Sequence, residues 1–146
     1  MNGERTIRFL LDGEVHTVAG LSPTTTVLEY LRERLRRCGT KEGCAEGDCG
    51  ACTVVLAELA GHGIRYRAIN ACIRLLPTLD GKALFTVESL ASADGDLHPA
   101  QRAMVECQGS QCGFCTPGFV MSLFALYRTT RNPGDEDCRQ ALSGNL

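Results

Sequence analysis

Apolar and polar residues alternate at the start of the chain, with Ile7 and Phe9 set against Thr6 and Arg8. Asp12-Gly13 then offers a tight turn into a second stretch carrying Val15 and Val18. The pattern predicts a β-hairpin whose first strand covers residues 5–11. Ser22-Pro23 and the threonines after it make a helix start, and Val27, Leu28, Leu31 and Leu35 recur at helical spacing until Gly39 stops the run. Residues 53–59 and 64–69 read as strands joined by a short glycine-containing turn, and residues 83–89 as one more. Together these elements predict a small mixed sheet with one helix packed across it.

Beyond about residue 90 the period changes. The segment Ser92 to Pro99 is turn-rich, and the remainder of the chain is helical in character. Pro99 opens a helix through Cys107, Thr116-Pro117 opens one to about Tyr127, and Asn132-Pro133 leads into a third that Gly144 closes. The fold expected is α+β, with a β-rich domain over 1–90 and an all-α domain over 91–146.

Composition changes this picture at one point, the cysteines. There are nine in 146 residues, an odd number, and the N-terminus lacks the apolar core of a secretory leader. A disulfide framework is therefore disfavoured and metal ligation in the cytoplasm expected. The net charge of -2 and the absence of a Lys/Arg block give no footprint for nucleic acid or an anionic membrane. No apolar run reaches the roughly 18 residues of a membrane span. Neither a G-x-G-x-x-G nor a G-x-x-x-x-G-K-[ST] loop occurs, so no nucleotide loop is expected.

Cys44, Cys49 and Cys52 form C-x4-C-x2-C, and Cys72 comes after nineteen intervening residues. This is the spacing of plant-type 2Fe-2S ferredoxins. An anionic centre of that kind needs a tightly turning loop that aims backbone N-H groups inward, and Gly43, Gly47 and Gly50 permit positive φ and close approach there. Zinc is the competing ligand, but zinc ribbons pair one C-x2-C with another, whereas Cys72 stands alone. Glu42, Glu46 and Asp48 are expected to be a solvated rim. Cys112 and Cys115 form a lone C-x2-C just ahead of the Thr116-Pro117 helix start, where free N-H groups favour an anion. A thioredoxin-like reading fails for want of a preceding βαβ pattern. Cys38, Cys107 and Cys138 fall on apolar helical spacings and are expected to be buried. His16, His62 and His98 show no paired ligand spacing and are given no chemistry.

In combination, "GTKEGCAEGDCGACTVVL", "NACIRLLPTLDGKAL", "LHPAQRAM" and "GSQCGFCTPGFVMSL" resemble the iron-sulfur region of the molybdenum hydroxylases, nearest the small subunit of bacterial xanthine dehydrogenase. The resemblance covers nearly the whole chain. It implies a ferredoxin-like β-grasp domain followed by a helical domain of the four-helix type, each with one 2Fe-2S cluster. Cys44, Cys49, Cys52 and Cys72 would hold the cluster nearer a flavin. Cys112 and Cys115 would supply half the ligands of the cluster nearer molybdenum, with Gln111 beside the pterin. The implied reaction is purine hydroxylation at molybdenum with water as oxygen source, electrons passing through both clusters to FAD and NAD+. The implied partners are a molybdopterin-binding large subunit and an FAD-binding domain, in a cytoplasmic hetero-oligomer without nucleic acid or membrane. In this family the other two ligands of the second cluster lie in a C-R-C-x-G-Y stretch after a GNL-like sequence. Here Gly144, Asn145 and Leu146 end the sequence, so the helical domain is expected to be incomplete, as a fragment or a shortened product. A free-standing ferredoxin-like carrier and another branch of the same family are the alternative readings.

Overall fold

The structure is a computed structural model that describes residues 6–146. Five strands form one mixed sheet in the order β2-β1-β5-β3-β4: β1 (Ile7–Leu11), β2 (Glu14–Val18), β3 (Thr53–Ala60), β4 (Gly63–Asn70) and β5 (Ala83–Phe85). The hairpins β1-β2 and β3-β4 are antiparallel, while β5 inserts between them, parallel to β1 and antiparallel to β3. Strand β3 is buried on both faces from Thr53 to Ala57, which explains its unbroken apolar run. The expected Arg5 start of the first strand lies outside the described residues.

One face of the sheet carries Phe9, Leu11, Val54, Leu56 and Leu84 against Val27, Leu28 and Leu31 of the crossing helix. That helix begins later and ends earlier than its apolar spacing predicts. Helix α1 (Val27–Glu29) continues directly into a π-wound segment, Tyr30–Arg34. Thr26, not Ser22-Pro23, is its cap. The Thr26 hydroxyl accepts from the Glu29 N-H, and the Glu29 carboxylate accepts from the Thr26 N-H. This reciprocal T-x-x-E box was readable in the sequence and outweighs the proline upstream. Strand β5 also stops short, at Phe85, and Val87–Ser89 winds into a 3-10 turn instead of extending the strand.

After residue 90 the elements are all helical: α2 (Pro99–Glu106), α3 (Thr116–Thr129) and α4 (Asp135–Leu142). Of the four-helix arrangement implied by the resemblance, these residues build three. Helix α3 lies across the second face of the sheet, where Met121, Phe124 and Ala125 pack on Val55, with Tyr66 and Phe85 at the edge. The rings of Phe85 and Phe124 are 5.5 Å apart, and that of Phe124 is 5.1 Å from His98. One sheet is thus covered by a helix on each face, and α3 brings the second cysteine pair to the first cysteine loop. No helix among the described residues is long and apolar enough to cross a membrane.

Candidate metal centre

The loop between the π segment and β3 is held at its start by long side chains. The Arg32 guanidinium donates to the Thr40 carbonyl at 2.9 Å, Lys41 to the Cys38 carbonyl at 2.7 Å, and the Gly39 N-H to the Glu88 carboxylate at 2.8 Å. Its middle turns back on itself through positive φ at Ala45, Gly47 and Gly50. Gly43 does not adopt positive φ. It is needed for close approach, because a Cβ there would run into the Cys49 sulfur. Ala45 at φ 56 takes the left-handed turn that glycine would be expected to supply, and nothing in its side chain signals this.

This winding points backbone N-H groups at sulfur. The Cys44 thiol accepts from the N-H groups of Asp48 and Cys49, each at 3.3 Å, and of Glu46 at 3.5 Å, while the Cys44 N-H donates to the Cys49 sulfur at 3.4 Å. The N-H of Cys49, then those of Glu46 and Asp48, lower the Cys44 thiol to about 6. Such a ring of donors is made for a negatively charged ligand set. Cys72 lies in the turn after β4, beside buried Cys52. Burial first, and the adjoining Cys52 thiol second, push Cys72 up to about 12. A cation between two such neighbours lowers the cost of ionising both.

The four predicted residues therefore come together as two neighbouring pairs, Cys44 with Cys49 and Cys52 with Cys72. Among the described residues no three metal-ligating side chains converge on a single ion-sized point. A binuclear centre, in which each iron takes two thiolates, fits this donor set and its N-H ring. Glu42, Glu46 and Asp48 are all exposed, as a solvated rim should be.

Cys112 and Cys115 are exposed in a separate loop, with Cys115 in the N-cap position of α3 and Pro117 in the first turn. Ser110 and Thr116 close this loop with a 2.7 Å hydroxyl contact, and Gly113 turns it at φ 83. Gln111 is exposed. The two cysteine loops are neighbours: a Cβ on Gly43 would lie 3.7 Å from the Phe114 ring, and Gly118 packs directly on the Gly50 carbonyl. Sequence reasoning did not find Phe114 or Gly118 as contacts, since neither belongs to a ligand spacing.

The remaining cysteines correct an expectation. Cys38 and Cys107 are exposed, and Cys138 is only half-buried. Helical spacing from Leu35 does not carry to Cys38 because the chain has left the helix, with Arg36 at φ 57. Cys107 caps α2, and Gln108 at φ 51 turns the chain away at once. Cys138 lines a shallow groove with Ala103, Leu123 and Tyr127, between α2 and α3. His98 also has a role that its isolation concealed: its Nδ1 accepts from the Ala100 N-H at 3.2 Å and caps α2.

Both halves of the chain resemble known proteins. Residues 9–74 match the family described as 2Fe-2S iron-sulfur cluster binding domain, and residues 86–146 that described as [2Fe-2S] binding domain. The chain is 46% identical over 140 residues to xanthine dehydrogenase of Drosophila subobscura, covering 94% of this chain and 10% of that protein. It is 45% identical over 143 residues to aldehyde oxidase 1 of Cavia porcellus, covering 97% of this chain and 11% of that one. The chain thus spans only about a tenth of the length of these relatives. Among solved structures, the aldehyde oxidoreductase from Desulfovibrio desulfuricans superposes with a TM-score of 0.83 at 32% identity, over 97% of this chain and 15% of that one. Quinoline 2-oxidoreductase from Pseudomonas putida gives the same TM-score at 26% identity, over 98% of this chain and 82% of that one.

Proposed function

Because the chain belongs to the family of paired 2Fe-2S domains that forms the iron-sulfur region of xanthine dehydrogenases and aldehyde oxidases, we propose that it is the electron-transfer part of a xanthine dehydrogenase-type molybdenum hydroxylase. The observation that carries this reading is the pairing of Cys44 with Cys49 and Cys52 with Cys72 inside a ring of N-H donors. A 2Fe-2S cluster bound there supplies one-electron acceptance, which a polypeptide lacks. The chain's own residues hold the four thiolates, offer N-H dipoles to the negative charge, and keep one side of the site dry through buried Cys52 and Ala51.

Cys112 and Cys115 are proposed as two of the four ligands of a second cluster, with Gln111 beside a molybdopterin carried by a partner. The helical half supports this over a free-standing carrier, since α3 places Cys115 one turn from Gly118, which touches the first loop. Purines are the proposed substrates, handled in a molybdopterin-binding subunit, with FAD and NAD+ beyond the first cluster.

The test is anaerobic reconstitution with iron and sulfide, followed by iron counting and EPR of the reduced sample. Binding of about two irons per chain with one signal is expected, since only the first site has all four thiols that such a cluster takes. A colourless protein that takes up zinc but no iron-sulfide chromophore would overturn the proposal. The branch is decided on the assembled enzyme by turnover of xanthine against an aldehyde.

A further inference from the structure

Asn145 belongs to no ligand spacing, yet its side chain reaches the first cysteine loop across a separation of 95 residues. Its amide N-H group donates to the Gly50 carbonyl at 3.0 Å and to the Thr53 hydroxyl oxygen at 3.3 Å. The amide cannot turn over, because the Gly50 carbonyl only accepts and so requires the N-H side; the amide oxygen is left facing buried Ser122 on α3, whose hydroxyl donates to it at 2.6 Å. Thr53, also buried, gives both its hydroxyl at 2.7 Å and its N-H at 3.1 Å to the same Gly50 carbonyl. Every proton in this network has a defined direction: Ser122 to Asn145, Asn145 to Gly50 and Thr53, Thr53 to Gly50.

The acceptor on which the network converges is not an ordinary loop carbonyl. Gly50 stands between Cys49 and Cys52, and it is closed in from the other side by Gly118 in the first turns of α3. Three donors on one carbonyl fix the plane of the Gly50-Ala51 peptide. Since a trans peptide sets its N-H opposite its C=O, the Ala51 N-H is turned away from α3. The orientation of the loop between two cluster thiols is thereby set by side chains of the helical half.

We propose that Asn145 is a positioning residue for the first cluster: by clamping the Gly50 carbonyl to Ser122 and Thr53, it fixes the peptide between Cys49 and Cys52 and so controls cluster retention and reduction potential. This rests on the reading of that loop as a 2Fe-2S site. The clamp also joins the first loop to the helix beyond Cys115, so the two cysteine sites are held at one separation by hydrogen bonds and close packing.

The experiment uses the full chain, reconstituted anaerobically with iron and sulfide, as wild type and as Asn145→Ala, Asn145→Asp and Ser122→Ala. Asn145→Asp is the decisive variant, because it keeps the size and the acceptor for Ser122 but replaces the donor to Gly50 with an acceptor. Loss of the visible chromophore to a chelator should be about five- to 150-fold faster in Asn145→Ala, the factor that two lost hydrogen bonds, about 1 to 3 kcal/mol together, imply. It should be at least as fast in Asn145→Asp, and intermediate in Ser122→Ala. The g-values and midpoint potential of the reduced first cluster should move in both Asn145 variants, readouts that a purely packing role would leave alone. If wild type binds the cluster and Asn145→Asp matches it in chelator resistance, g-values and potential, the positioning role is overturned while the cluster site stands. If wild type itself forms no chromophore, the cluster reading falls, and the positioning role with it. Should Asn145→Ala fail to fold, the Ser122→Ala comparison decides by the same criteria.

Discussion

Replacing Gly50 by alanine tests the contact between the helical half and the cysteine loop, and Gly61 supplies its control. Both glycines have positive φ, 69 and 61, so an alanine at either carries the left-handed penalty of about 1–2 kcal/mol. They differ in surroundings. An added Cβ at Gly61 meets nothing within 4 Å, whereas at Gly50 it collides with the Gly144 carbonyl and the Asn145 amide. Pushing that turn aside breaks the two Asn145 hydrogen bonds, at about 0.5–1.5 kcal/mol each. Gly50→Ala should therefore cost about 2–5 kcal/mol against about 1–2 for Gly61→Ala. For a chain of this length 1 kcal/mol corresponds to about 2–4 °C, so the Tm of the reconstituted protein should fall by about 4–20 °C for the first and about 2–8 °C for the second. The assay is amide circular dichroism on anaerobic heating at one scan rate, with the visible chromophore followed in parallel. Equal shifts for the two variants would refute the reasoning, because the penalty would then be backbone strain alone.

The positions of other side chains set further outcomes. Cys38→Ala should leave the visible spectrum and iron content unchanged and shift stability by no more than about 0.5 kcal/mol, since the residue is exposed and outside the site; Cys72→Ser should abolish the chromophore. Stability should also fall in acid through His98, whose imidazole is held below its ordinary value by burial first and by Arg128 second. Only neutral Nδ1 accepts the Ala100 N-H, and a cation is unfavourable at a helix N-terminus. With the folded value depressed, the unfolded chain binds the proton more readily, so His98's contribution is complete above about pH 6.5 and is lost as pH falls below it toward the folded value. His98→Asn keeps a capping side chain without the titration, and should flatten the decline in Tm between about pH 7.5 and 5.5 that wild type shows.

How much of this was written in the chain depends on the range of the interaction. Alternation in Ile7–Leu11, the continuous apolar run of β3 and the spacing of Val27, Leu28 and Leu31 specified the sheet and its crossing helix, because each residue's neighbours along the element decide which face it takes. The C-x4-C-x2-C spacing and Cys72 were likewise legible, since a loop that must wrap an anionic centre restricts its residue types locally. Boundaries were less so. The helix start at Thr26 was encoded in its capping box, whereas the exits at Arg36 and Gln108, which leave Cys38 and Cys107 exposed, came from backbone turns that their side chains do not announce.

What only the tertiary structure decided is which distant groups meet. The sequence could not show that α3 lies on the second face of the sheet, that Gly118 abuts Gly50, or that Asn145, Ser122 and Thr53 converge on one carbonyl. Hydrogen bonds and close packing act over a few ångströms of space, not along the chain, and a period of two or of 3.6 residues carries no record of a partner some 95 positions away.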